Sequence, residues 1–157
     1  MFTVTNTYIM HYQTSLLKVN ERGIVLEEIL RVYVELEDSI QVKGQTCNVN
    51  MIRFSGYAKS KYFQGKILPG GVDLQKCKLG EKNHLSARYI LEGKDMEGND
   101  CRIFIENNGV SDENGVVKTT PVIITDSKAL SWMESAGLEG SISSENNMVI
   151  IHIHKCM

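Results

Sequence analysis

Short runs of alternating apolar and polar residues, broken by clusters of glycine, asparagine and aspartate, constrain the fold of this 157-residue chain most strongly. In one run, Leu30, Val32 and Val34 alternate with arginine, tyrosine and glutamate, the pattern of a strand with one buried face. The breaks recur about every ten residues, which is typical of all-β sandwiches and barrels. The chain is therefore predicted to be all-β and to form one domain over residues 1–157.

The alternation predicts a series of strands, and the bounds of each follow from where the pattern breaks. They are expected at 8–13, 24–36, 40–42, 46–58, 62–68, 74–76, 84–92, 100–108, 116–124, 140–143 and 148–154.

The segment 62–75 runs from a strand pattern straight into Leu-Pro-Gly-Gly. Pro69 has a fixed φ and no backbone donor, and the two glycines that follow tolerate backbone angles that other residues avoid. We expect a sharp turn that presents Asp73 and Gln75 from a rigid corner, where polar groups suit contact with a ligand. Closure of the corner by hydrogen bonds from these groups to the backbone is the alternative.

Short motifs along most of the chain carry a family resemblance. They comprise Gly65, Leu68, Pro69, Gly70, Gly71 and Asp73; Leu85, Ala87, Arg88, Tyr89 and Leu91; Ile103, Ile105, Asn107 and Gly109; Thr119, Thr120 and Pro121; and Thr125, Asp126 and Trp132. In this order they resemble the family known as domain of unknown function 3237, or uncharacterised protein family 0311. The resemblance covers about residues 28–155 and leaves 1–27 as an N-terminal extension. It implies a single antiparallel β-barrel, here of about ten strands, and little established chemistry.

One segment, 125–134, departs from the β pattern. It begins with threonine, aspartate and serine, which cap helix N-termini well, and Leu130 and Met133 fall near one face. We expect one short helix of two to three turns across a barrel end, with Trp132 as its packing anchor.

Charge and hydropathy exclude several partners. The chain has 17 basic and 19 acidic residues, a formal net charge of −2 and no basic run, so a nucleic-acid surface is not expected. The longest apolar runs, such as 148–151, are too short for a bilayer, and the N-terminus lacks the pattern of a secretory signal. The protein is expected to be cytoplasmic, without a membrane partner.

Neither the cysteines nor the histidines predict a metal site. Four cysteines are scattered without a C-x-x-C pair, so free thiols are expected. His152 and His154 share a strand face, but no third ligand lies near them in the sequence. We expect these histidines on the outer face, and we expect no metal and no cofactor.

Asp73 and Arg88 are the strongest candidates for chemistry. Asp73 follows the Pro-Gly-Gly corner, and Arg88 lies on a strand among apolar residues. If they converge, Arg88 could bind a carboxylate or enolate oxygen while Asp73 acts as acid or base. The alternative is a structural ion pair that holds the corner to the sheet.

Asn107 and Thr120 are further candidates for ligand binding. Asn107 ends an apolar row, where a core meets a cavity, and Thr120 precedes a proline that interrupts strand pairing. Each could instead bond to the local backbone, as these residue types often do.

Three functions stay open. The first is binding of a small organic molecule in a small, mostly apolar pocket inside the barrel. The second is an isomerase-, cyclase- or hydrolase-like enzyme acting on a small carbonyl or carboxylate compound, with Asp73 as acid or base and Arg88 as electrostatic stabiliser. The third is a non-catalytic interaction module with a filled interior. We also expect a homodimer, because the run at 8–12 supplies an unpaired strand edge.

Overall fold

The computed structural model describes residues 17–157, which form one antiparallel sheet of ten strands. The strands are β1 (Leu17–Val19), β2 (Val25–Lys43), β3 (Cys47–Lys59), β4 (Phe63–Ile67), β5 (Val72–Lys78), β6 (Asn83–Asp95), β7 (Asp100–Ser111), β8 (Val117–Thr125), β9 (Leu138–Glu145) and β10 (Met148–Cys156). The strand predicted at 8–13 falls outside the described residues.

The sheet closes on itself, because β2 pairs with β3 along one edge and with β10 along the other. From β3 the ring continues through β4 and β5, which share one position, and then through β6, β7, β8 and β9 to β10. A ring of about eight positions has an interior that side chains fill or that holds one small ligand. The prediction of an all-β, single antiparallel barrel of about ten strands is confirmed.

Strand alternation builds the core of the barrel. Leu30 and Val32 of β2, Ile103 and Ile105 of β7, and Ile153 of β10 are fully buried. Burial of each such side chain contributes about 1.5–3 kcal/mol, so these rows supply much of the driving force for folding.

The Leu-Pro-Gly-Gly segment interrupts a strand and does not reverse the chain. β4 and β5 both run antiparallel to β3 and to β6, so the chain keeps its direction from one to the other. Ile67 lies opposite Leu91, and Asp73 lies opposite Ala87. The six residue steps from Ile67 to Asp73 therefore lie beside only four steps on β6, from Leu91 to Ala87. The expected turn is present at Pro69 and Gly70, but it lies within a bulge of two extra residues and does not reverse the chain.

One end of the barrel carries the hairpin turns that join β2 to β3, β5 to β6, β7 to β8 and β9 to β10; we call it the open end. The opposite end is closed by the segment between β8 and β9. Leu130 and Met133 are fully buried there. Trp132 is only partly buried and packs edge-on against Tyr62, with ring centroids 5.2 Å apart.

The helix predicted over 125–134 is much shorter than expected. Only Ser131–Glu134 is helical, and it is a single 3₁₀ turn. The hydroxyl of Ser127 accepts a hydrogen bond from the backbone N–H of Leu130 at 3.3 Å, as a capping residue would, and donates to Oδ2 of Asp95 at 2.7 Å, which ties the loop to the end of β6. Among residues 17–157, no helix has the length and apolarity needed to cross a membrane.

Candidate functional site

The inner face of the barrel changes from apolar to polar toward the open end. Asp73 of β5 lies opposite Ala87 of β6, which in turn lies opposite Asn107 of β7. Because Ala87 packs against the core, this row faces inward. Gln75 and Thr119 occupy the next inward-facing row toward the open end. We call Asp73, Gln75, Asn107 and Thr119 the inner polar cluster.

Asp73 is a half-buried carboxyl group whose hydrogen bonds come from neutral donors. The side-chain amide of Gln75 donates to Oδ2 of Asp73 at 2.9 Å. No ion pair within residues 17–157 involves Asp73. Burial raises the pKa of Asp73, against the opposing effect of hydrogen bonds from Gln75 and the Ser86 backbone. A carboxyl group of this kind can accept a charged or neutral donor, or transfer a proton.

Asn107 and Thr119 converge beside Gly140 of β9. Both side chains are buried, and neither Oδ1 of Asn107 nor Oγ1 of Thr119 has a hydrogen-bond partner within the described chain. A methyl group on Gly140 would overlap Oγ1 of Thr119 and come within 3.4 Å of Oδ1 of Asn107. The glycine therefore leaves room for two polar atoms that point to the same place.

Tyr89 lies on the same inner face, two residues from Ala87, and belongs to the core. Its ring packs edge-on against Phe54, with centroids 5.4 Å apart. The hydroxyl is buried without a hydrogen-bond partner in the described part of the chain, and burial raises the pKa of Tyr89. Tyr89 thus brings a further unsatisfied polar atom to the boundary between the core and the cluster.

A pocket of about 160 Å³ adjoins the inner polar cluster at the open end. Five of the nine residues that line it carry amides, namely Gln41, Asn48, Asn50, Gln75 and Asn83. Oδ1 of Asn50 is buried without a partner among the described residues. The sequence predicted a mostly apolar pocket, whereas this one is rich in amides, and Gln75 in its wall donates a hydrogen bond to Asp73.

Arg88 does not join Asp73, so the predicted pairing of these residues is wrong. Arg88 follows Ala87 directly and therefore projects from the opposite, outer face of β6. There its Nε lies 2.9 Å from Oε2 of Glu106, its cross-strand neighbour, and more than half of its side chain is exposed. Arg88 forms a surface ion pair, and neither the structural nor the catalytic partnership with Asp73 exists.

Thr120 also lies outside the barrel. It pairs with Asn108, whereas Asn107 pairs with Pro121, so Thr120 is exposed while Asn107 is buried. Of the four predicted site residues, Asp73 and Asn107 face the interior, and Arg88 and Thr120 face solvent.

The two outward-facing candidates line a groove of about 660 Å³ across β5 to β8. Lys76, His84 and Lys118 also line this groove. Lys118, however, bonds to Glu21 at 2.8 Å, and Arg88 is held by Glu106. The open shape and paired charges of this surface make it a weaker candidate than the inner polar cluster.

His152 and His154 lie on the outer face of β10, as expected, but they are not simple surface residues. Nδ1 of His152 lies 2.8 Å from Oε2 of Glu28, and its Nε2 lies 2.8 Å from Oγ of Ser143. Burial opposes ionisation of Glu28, but hydrogen bonds from Arg31 and His152 outweigh it and lower the pKa of Glu28. His154 is buried, and burial lowers its pKa. The carboxylate beside the histidines is already bonded to two partners.

Sequence reasoning missed Thr119 and Asn50 as site residues. Thr119 could have been found from strand alternation, because Pro121 and Ile123 share its face and both are apolar. Asn50 gave no such signal, since its place beside Gln75 depends on the pairing of β3 with β5.

The closed antiparallel ring with polar groups at one inner end defines a β-barrel protein with a candidate ligand site at its open end. The chain belongs to the family described as protein of unknown function DUF3237, whose model matches residues 24–156. The family resemblance drawn from the motifs is thereby confirmed.

Three comparisons illustrate the relationship. A UPF0311 protein of Clostridium acetobutylicum is 43% identical over 95 residues, and the match covers 58% of this chain and 57% of that relative. The crystal structure of a protein of unknown function from the same organism has a TM-score of 0.71 at 27% identity, covering 84% of this chain and 99% of the other. A β-barrel-like protein of Acinetobacter baumannii has a TM-score of 0.68 at 18% identity, covering 89% of this chain and all of the other. The last likeness shows the fold alone.

Proposed function

We propose that this protein binds a small organic molecule at the inner polar cluster, through the amide-lined pocket at the open end. The observation that carries the proposal is that polar atoms of four inward-facing residues are buried without a hydrogen-bond partner among residues 17–157, namely those of Asn50, Tyr89, Asn107 and Thr119. Each unsatisfied buried polar group costs about 1–3 kcal/mol, so a ligand that satisfies several of them gains affinity.

The neighbouring side chains support a site at this position. Ala87 lies between Asp73 and Asn107 in the same inward-facing row, and its side chain is a single methyl group. Two strand spacings, about 10 Å, separate the backbones of Asp73 and Asn107, a span that a small molecule can bridge. The apolar core beneath supplies a floor, with Tyr89 at its surface.

Thr119, which faces the interior, and Thr120, which faces solvent, allow a matched test of this proposal. A panel of small metabolites is titrated into ¹⁵N-labelled protein, and saturable chemical-shift changes identify a ligand. Thr119→Val should weaken its binding about tenfold, as expected for loss of one buried hydrogen bond, while Thr120→Val should leave binding unchanged. Equal effects of both variants, or no saturable binding by any compound, would refute a site at the inner polar cluster.

Catalysis is the second candidate, and the raised pKa of Asp73 favours it, because such a carboxyl group suits acid–base chemistry. An isomerase-, cyclase- or hydrolase-like reaction of a small carbonyl or carboxylate compound would then use Asp73 without Arg88. Turnover that disappears in Asp73→Asn but persists in Arg88→Ala would support the enzyme. The non-catalytic interaction module remains the result to expect if neither binding nor turnover is found.

A homodimer is also proposed. The run at 8–12 that suggested it lies outside the described residues, but the β2–β3 hairpin offers a second basis. Ile40, Val42 and Met51 on its outer face are 68%, 64% and 47% exposed. An exposed apolar strip on a long hairpin is a common site of self-association.

We further propose a reducing, cytoplasmic setting. All four cysteines, Cys47, Cys77, Cys101 and Cys156, are free thiols, and free thiols are usual for proteins of that compartment.

A further inference from the structure

We infer that the ligand of the inner polar cluster is a small organic cation, with an ammonium group that pairs with Asp73. This inference rests on the proposed function and adds the chemical class of the ligand. It follows from the charges on the inner face, the size of the pocket and the chemistry of the unsatisfied atoms.

Within residues 17–157, the inner face near Asp73 carries a carboxyl group and no cation. In the row of Asp73 its neighbours are Ile52, Ala87 and Asn107, and in the next row Asn50 and Gln75 lie side by side. A negative group in a half-buried site attracts a cationic or donor-rich ligand and repels an anion.

Lys43 is the cationic residue in the wall of the amide-lined pocket, and it is too far from Asp73 to neutralise the negative charge of that carboxyl group. Lys43 lies at the tip of the β2–β3 hairpin, opposite Asn48, which lies opposite Cys77. Cys77 is four residues from Asp73, or roughly 13 Å along the strand. At physiological salt the Debye length is about 8 Å, so the Lys43 charge is largely screened at Asp73.

The unsatisfied atoms select for hydrogen-bond donors. Oδ1 of Asn50 and Oδ1 of Asn107 are carbonyl oxygens, which can only accept, and Oγ1 of Thr119 can also accept. An ammonium group presents three donors, and a hydroxyl on the same molecule presents another. A charge-assisted hydrogen bond to Asp73 is also stronger than a neutral one.

The pocket beside Gln75 limits the size of the part of the ligand that lies next to this residue. A volume of about 160 Å³ corresponds to about five water molecules at 30 Å³ each. An amino alcohol with a few carbon atoms fits this space, whereas most ligand pockets, at about 300–1,000 Å³, hold larger molecules.

The test compares three probes of one skeleton that differ in charge: 3-amino-1-propanol, 1,3-propanediol and 3-hydroxypropanoate. Each is titrated into ¹⁵N-labelled full-length protein, and the side-chain amide resonances of Gln75 and Asn107 report binding. We expect the amine to bind about tenfold more tightly than the diol, the gain of one charge-assisted hydrogen bond, and the acid to bind least.

Asp73→Asn should remove this preference, so that the amine and the diol bind equally. Glu106→Gln is the matched control, because it also removes one negative charge but lies on the outer face; it should preserve the preference for the amine.

Binding of the diol or the acid as tightly as the amine would overturn the inference and leave the proposed function standing. If none of the three probes binds but the metabolite panel yields a ligand whose binding depends on Thr119, the inference is likewise overturned and the proposed function stands. A panel that yields no ligand would instead overturn the proposed function.

Discussion

At the scale of single residues, Asp73 is unusual because it is an inward-facing carboxyl group without an ion-pair partner among residues 17–157. It is a half-buried carboxyl group that faces the interior, receives hydrogen bonds from neutral donors and has a raised pKa. Glu106 shows the contrary case on the outer face, where hydrogen bonds from Asn108 and Arg88 lower its pKa. The two carboxylates should therefore affect stability with opposite sign.

A raised pKa means that folding favours the protonated form of Asp73. The stabilising contribution of that group is present below its ordinary pKa of 3.8 and is lost as pH rises through the folded-state pKa. Asp73→Asn should therefore raise Tm at about pH 7, and the gain should shrink toward about pH 3. Thermal unfolding followed by circular dichroism at both pH values measures this, with about 2–4 °C expected for each kcal/mol.

Glu106→Gln serves as the control of opposite sign, because a lowered pKa contributes stability at neutral pH that is lost in acid. A Tm of Asp73→Asn at or below that of the wild type at neutral pH would contradict the account of Asp73.

At the scale of secondary-structure elements, the bulge between β4 and β5 decides which way Asp73 points. The bulge adds two residues relative to β6. Because side chains alternate along a strand, an even insertion keeps Asp73 on the same face as Ile67, whereas an insertion of one residue would turn it to solvent. Gly70 carries the conformational demand of the bulge, with a φ of +111°.

Gly70→Ala should destabilise the protein by roughly 1–2 kcal/mol, because a side chain disfavours positive φ even where space is available. A Cβ at this position would have no neighbour within 4 Å, so the effect isolates backbone strain. Urea unfolding measures the loss. Gly137→Ala is the control, since its Cβ would make only an ordinary 3.7 Å contact with Cβ of Cys156. Equal stability of the two variants would argue against strain at Gly70.

At the scale of the whole molecule, closure of the sheet creates an interior with two different ends. Leu130 and Met133 fill the end opposite the open one, and the inner polar cluster lies toward the open end. The long β2–β3 hairpin extends beyond the buried core and carries exposed apolar residues on its outer face. Closure leaves this hairpin as a surface through which two copies can associate.

Ile40→Lys combined with Val42→Lys should convert the proposed homodimer to a monomer, because charges on an exposed strand oppose sheet-to-sheet association. Light scattering coupled to size-exclusion chromatography measures the mass. Ile124→Lys, a similarly exposed position on β8, should leave the mass unchanged. A monomeric wild type, or a dimer that survives the double substitution, would exclude this interface.

Residue order alone determined the all-β class, nearly every strand in the described chain and the face that Asn107 shares with Ile103 and Ile105, because alternation along one strand is a local property. It also separated Arg88 from the apolar face of Ala87 and Tyr89, but only the pairing of the strands showed that Arg88 projects outward and away from Asp73. Local pattern did not reveal that the Pro-Gly-Gly segment is a bulge, that the helix is a single 3₁₀ turn, or that Thr119 rather than Thr120 lies near Asn107. Those outcomes depend on which strands pair and in which register, and closure of the barrel decides both.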